Sequence, residues 1–116
     1  MNYHVALNFI IGRVLIINKG QNELIEGLIY QYLQHDVTYF DGQLLNTSLV
    51  LGMNIYQTEK AIDDEYPVNA SKYNTPDGRI DKTDLNDDRI SALKREANNV
   101  TEELLLEAKK LIKQKS

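Results

Sequence analysis

The stretch NTPDGRIDKTDLNDD, residues 74–88, holds the densest chemistry of the chain. Asp77, Asp81 and Asp84 could present oxygens to a hard divalent cation, with Gly78 supplying the sharp turn such a loop needs. The same residues also compose a turn and a helix start. Pro76 presets φ, Gly78 accepts a left-handed conformation, Thr83 or Asp84 caps, and Asp87 and Asp88 complement the positive end of the helix that follows. The turn accounts for more of these residues than a cation does. We therefore expect no metal and no other cofactor, and keep Asp77, Asp81 and Asp84 as the candidate ligands.

Other reactive side chains are sparse. His4 and His35 fall in different elements with no evident third ligand, so they read as structural or surface residues rather than a metal site or an acid–base pair. Asp63, Asp64 and Glu65 are adjacent acids, which read as a solvated face. With no cysteine, disulfides, thiolate zinc sites, iron–sulfur ligation and thiol nucleophiles are excluded. There is no phosphate-cradling glycine loop, dinucleotide fingerprint or HExxH pair. The aromatic residues lack the interleaved Arg and Lys of a base-stacking platform. We expect a protein that is not an enzyme.

A chain of 116 residues is one domain by size, and 42% apolar with 26% charged residues describes a folded globule. The net charge of −4 works against broad binding to nucleic acid or anionic membranes, so DNA is a possible but not a favoured partner. The N-terminal run MNYHVALNFIIGRVLIINKG is apolar, yet His4, Asn8 and Arg13 interrupt it, and it falls short of the ~20 residues that span a bilayer. It also lacks the features of a signal peptide. A cytoplasmic protein with no membrane partner is the expectation.

Four elements must carry these residues. Over 3–17, Val5, Leu7, Phe9 and Ile11 alternate, which predicts a long buried strand bent at Gly12, although Tyr3, Leu7, Ile10, Val14 and Ile17 also fit a helical stripe. Leu24, Ile25, Leu28, Ile29, Tyr32 and Leu33 predict an amphipathic helix over about residues 22–35. VTYFDGQLLN predicts a hairpin turning at Asp41-Gly42. After a polar connection, Ile90, Leu93, Ala97, Val100, Leu104, Ala108 and Leu111 recur at three- and four-residue steps and predict one helix over about 85–114. At roughly 44 Å it would be long for a domain whose radius of gyration is ~13 Å. It must cross its own core or pair with a second copy in coiled-coil fashion. The fold class expected is α+β: a strand–helix–β-hairpin core over 1–62, a polar connection over 63–83, and a long C-terminal helix over 84–116.

Three resemblances add to this reading. DGRIDKTD, residues 77–84, resembles the second half of a dockerin-type calcium loop: with Gly78 at loop position six, Asp77, Asp81 and Asp84 fall at ligand positions, while Tyr73 and Thr75 stand where the first-half ligands belong. LVLGMNIYQTEKAID, residues 49–63, resembles a helix-turn-helix, with Gly52 at the turn, Asn54 as cap, and Thr58, Ala61 and Ile62 inward. That resemblance implies the alternative of an all-α winged-helix transcriptional regulator that binds DNA and dimerises through its C-terminal helix. Glu59, Asp63 and Asp64 against Lys60 are a poor complement to DNA. Finally, YHVALNFIIGRVLIINKG, a helix, then VTYFDG is similar to the order of elements in small Firmicutes-prophage proteins of unknown function, which implies an α+β fold and a mobile-element origin. The function expected is a small protein-interaction or regulatory module. It would be a homodimer with an unidentified protein partner, acting through an association seam of Ile90, Leu93, Ala97, Val100, Leu104 and Leu111.

Overall fold

In the computed structural model, which describes residues 1–63, 66, 76–77 and 82–115, the apolar N-terminal run folds back on itself. Strands β1 (Asn2–Phe9) and β2 (Gly12–Lys19) are antiparallel, with Phe9 opposite Gly12. The single strand expected over 3–17 is therefore a hairpin whose turn is Ile10-Ile11. Gly12 permits it: its φ of 151° is a conformation that L side chains rarely adopt. Near the other end of the hairpin the register shifts between Tyr3 and Val5, and Asn18 takes a left-handed φ of 61°. The Asn18 side chain then clamps the chain after β5, accepting from Ile62 N–H and donating to Ile62 carbonyl, both at 2.7 Å.

Helix α1 follows in three consecutive segments, Gln21–Leu24, a π turn at Ile25–Ile29, and Tyr30–Gln34. It stops where His35 adopts φ 59°, the left-handed cap conformation. The predicted second hairpin is present as β3 (Val37–Phe40) and β4 (Gln43–Asn46), with Asp41 and Gly42 both at positive φ. That pair gives the twist a two-residue turn requires. Strand β5 (Gly52–Thr58) pairs with β1 from Asn2↔Thr58 to Asn8↔Gly52. This corrects the winged-helix alternative, because the turn and cap of the supposed helix-turn-helix lie in a strand. Met53 and Ile55 are buried on one face with a two-residue period, which suits a strand and not a recognition helix.

The C-terminal half brings a second correction. The single helix expected over 85–114 is two, α2 (Lys82–Glu96) and α3 (Thr101–Lys115), separated by the short edge strand β6 (Asn98–Asn99). Asn98 and Asn99 pair with Gln57 and Tyr56 of β5. Asn99 then caps the new helix, its Oδ1 accepting from Thr101 N–H at 3.1 Å and from the Thr101 hydroxyl at 2.7 Å. Val100 N–H donates to Ile55 carbonyl and Ile55 N–H to Thr101 Oγ1, both at 2.8 Å. Side-chain oxygens that compete for backbone donors are why Asn ends helices and starts them. Each resulting helix has 15 residues, about 22 Å, so neither must project from the core.

The sheet order is β2-β1-β5-β6, and the break at Asn98-Asn99 carries the chain from one sheet face to the other. On one face Ile90 and Leu93 of α2 pack with Ala6, Tyr56 and Ile62. On the opposite face Val100, Leu104 and Ala108 join Val5, Leu7 and Ile55 together with Leu24, Ile25, Leu28 and Ile29 of α1. The architecture is α+β with helices on both sheet faces. Tyr3 through Leu7 are consequently buried without interruption, which explains the nearly continuous apolar run of the central strand. The connection expected over 63–83 lies largely outside the described residues, and α2 already begins at Lys82.

Candidate interaction surface

The two hairpins and the turn after β4 meet at one end of the sheet. At the β1–β2 tip, Ile10 is 83% exposed and Ile11 98% exposed. Turn tips usually carry Gly, Asn, Asp or Ser, because these residues satisfy tight backbone geometry and face water without penalty. Two β-branched aliphatic residues do neither. Beside them, β4 turns Leu45 into the core and Leu44 outward at 73% exposure. Across the ladder, Tyr39 pairs with Leu44 and is also exposed, as is Val37 on the same side of β3.

The turn Thr47–Leu49 completes the surface. Thr47 is buried, and its hydroxyl is held between the Gln31 and Asp36 carbonyls. Asn46 Oδ1 caps the turn by accepting from Ser48 N–H at 3.2 Å. These contacts fix the backbone that presents Leu49, 58% exposed, and Leu51, 69% exposed. Leu51 N–H donates to Asn8 carbonyl at 2.7 Å, which places it beside the β1–β2 tip. Between tip and turn runs a groove of about 420 Å³ lined by Phe9, Ile11, Val14, Leu44, Leu45 and Leu49.

The groove lining carries little charge. Among the described residues, Arg13 is the one ionisable residue lining the groove, and it faces Asp87 of α2 at 3.6 Å with both side chains about half exposed. At the far end of the second hairpin, Lys19 Nζ meets Asp41 at 2.7 Å and lies 5.7 Å from the Phe40 ring centre. The hydrogen bond to Asp41 holds the Lys19 ammonium above its usual pKa. A groove of this composition can bind apolar groups.

The residues singled out from the sequence lie elsewhere. Ile90 and Leu93 are buried on one sheet face, Val100 and Leu104 on the other, and Ala97 and Leu111 pack against those two clusters in turn. The chain's own core occupies the expected association seam, so these residues present no common stripe. Asp77 is exposed, while Asp81 and the Asp84 side chain lie outside the described residues. Among the described residues no three His, Asp or Glu side chains gather as a metal ion requires, and no helix is long and apolar enough to cross a membrane.

His4 is fully buried and built into a defined network. Its Nδ1 accepts from Asn18 N–H at 3.0 Å, so the ring proton resides on Nε2 and is donated to Thr58 Oγ1 at 2.8 Å. Thr58 in turn donates to Lys60 carbonyl at 2.7 Å. Burial lowers the imidazole pKa to about 4, so at neutral pH the group is a structural hydrogen-bonding element. Burial likewise raises the Tyr56 phenol. No protein-family model matches the chain, and neither the curated proteins nor the solved structures contain a significant match.

Proposed function

We propose that the protein is a non-enzymatic interaction module that works by docking its hairpin end against another protein chain. One observation carries the reading: Ile10, Ile11, Leu44, Leu49 and Leu51 are all more than half exposed and share one end of the sheet. Scattered exposed aliphatic residues are common on soluble proteins, but contiguous apolar patches beyond a few hundred Å² mark binding surfaces. The local structure has no use for them, since Ile10 and Ile11 form a turn whose geometry depends on Gly12. A photo-crosslinking amino acid in place of Ile11 should give discrete protein adducts, and the same group in place of the exposed Lys94 on α2 should not. Equal adduct yields from the two positions would refute the assignment.

A further inference from the structure

We infer that the occupant of this surface is a second copy of the chain, docked about a two-fold axis so that the Ile10-Ile11 tip of each copy enters the groove of the other. The inference rests on the hairpin end being an interaction surface, and it names the partner. Three features point to self-association.

The first is shape. A two-fold contact must be self-complementary, so any knob and the hole that receives it must lie on the same face of one molecule. Here the projecting tip adjoins the 420 Å³ groove: Ile11 forms one wall, and Phe9, Val14, Leu44, Leu45 and Leu49 form the rest of its apolar lining. The second is charge. Near a two-fold axis a charged group meets its own copy, which is a like charge. The groove avoids this, because the one ionisable residue of its lining among the described residues, Arg13, is already matched by Asp87. Among the described residues, the groove lining therefore brings no unmatched charge to the axis.

The third is area. Taking about 200 Å² for a fully exposed aliphatic residue, Ile10, Ile11, Leu44, Leu49 and Leu51 present roughly 750 Å² at their observed exposures, close to the ~800 Å² that each partner contributes to a standard interface. Val37 and Tyr39 extend the same surface. The patch is thus as large as a stable dimer needs, without help from α2 or α3.

The test is sedimentation velocity over a wide range of protein concentration on the full chain, on a tip variant (Ile10→Asn with Ile11→Asn) and on a groove variant (Leu44→Asn with Leu49→Asn). All four side chains are exposed, so the variants should keep the wild-type circular dichroism and melting temperature. The expected result is a dimer for the full chain and an association constant reduced at least tenfold for each variant. An equimolar mixture of the two variants should form dimers under conditions where neither does alone, because one of the two tip-in-groove contacts is restored. A full chain that is monomeric throughout overturns the inference, and so does a dimer unaffected by either variant. If that monomer still yields Ile11 adducts with a different chain, self-association fails while the interaction reading stands. If it yields none and binds vesicles of phosphatidylglycerol and phosphatidylcholine instead, both fail in favour of a membrane surface.

Discussion

Removing His4 should abolish a specific part of the acid sensitivity of folding. In the native state Nδ1 accepts from Asn18 N–H, so a proton added there would confront another donor in a fully buried site. In the unfolded chain the imidazole titrates at 6.5, and in the fold it titrates at about 4. The unfolded state therefore binds more protons between these values, and stability falls as pH drops through that window. The contribution is fully present above pH ~6.5 and lost by pH ~4, and 2.5 pKa units at ~1.36 kcal/mol each give about 3 kcal/mol in total. At pH ~5 about 2 kcal/mol of it should be gone. Urea unfolding of the full chain and of His4→Gln at pH 7 and pH 5 measures this. Gln keeps a donor toward Thr58 but leaves Asn18 N–H unpaired, a cost of ~1–3 kcal/mol that does not vary with pH. The carboxylates titrate alike in both proteins and cancel in the comparison. The full chain should lose about 2 kcal/mol more than the variant between the two pH values. Equal losses would show that His4 can be protonated in place, and the hydrogen-bond assignment would be wrong.

Three other substitutions probe the joints that shape the fold. Gly27→Ala should destabilise by about 1 kcal/mol although Ala is the better helix former by ~1 kcal/mol, because the new Cβ would stand 2.6 Å from the buried Phe40 ring. Pairing it with Phe40→Leu should recover part of the loss in a double-mutant cycle, and additive effects would discount the contact. Asn18→Ala loses both hydrogen bonds to Ile62 and forces a left-handed φ on Ala, so chemical denaturation should report a loss of roughly 2–4 kcal/mol. Asn18→Gly, which keeps the backbone conformation, should lose less. Thr101→Val removes the acceptor for Ile55 N–H and the donor to Asn99, and should cost about 1–3 kcal/mol while speeding hydrogen exchange at Ile55 and Thr101. Unchanged exchange there would mean that β6 does not hold α3 to the sheet.

Much of the architecture was legible because local chemistry and tertiary packing agree. The apolar stripe from Leu24 to Leu33 and the Asp41-Gly42 pair each have one good solution, a helix and a two-residue hairpin, and α1 and the β3–β4 turn adopt them. The N-terminal run misled because its turn has no polar residue to announce it: Ile10 and Ile11 resemble core, and Gly12 alone marks the reversal. The C-terminal helix misled for a different reason. Three- and four-residue spacing continues through Asn98-Asn99, since Val100 must face inward whichever side of the sheet the chain is on. Periodicity reports that residues are buried, not that they are buried together. The capping potential of Asn99 and Thr101 ahead of Glu102 and Glu103 was the signal for a helix restart. The exposed apolar patch at the hairpin end was invisible for the same reason as the hairpin, because an exposed leucine and a buried one are the same letter.

The two corrections are connected. A continuous C-terminal helix would have had a free apolar edge, and association through it would have left the hairpin end without a role. Breaking the helix at the sheet edge sends Ile90 and Leu93 to one face and Val100 and Leu104 to the other, so both faces of the central strands are sealed by the chain itself. Apolar surface then remains accessible where that cover stops, and among the described residues it is concentrated where β1 turns into β2 and β4 approaches β5. Helices seal the faces of a sheet but not the tips of its hairpins, so a protein that must hide its strands and still present apolar side chains to a partner has the tips available. Ile10-Ile11 at a turn, held in place by Gly12 and the Leu51–Asn8 hydrogen bond, is the local form of that solution. The proposed association thus falls on the opposite kind of element from the one that helical periodicity suggests.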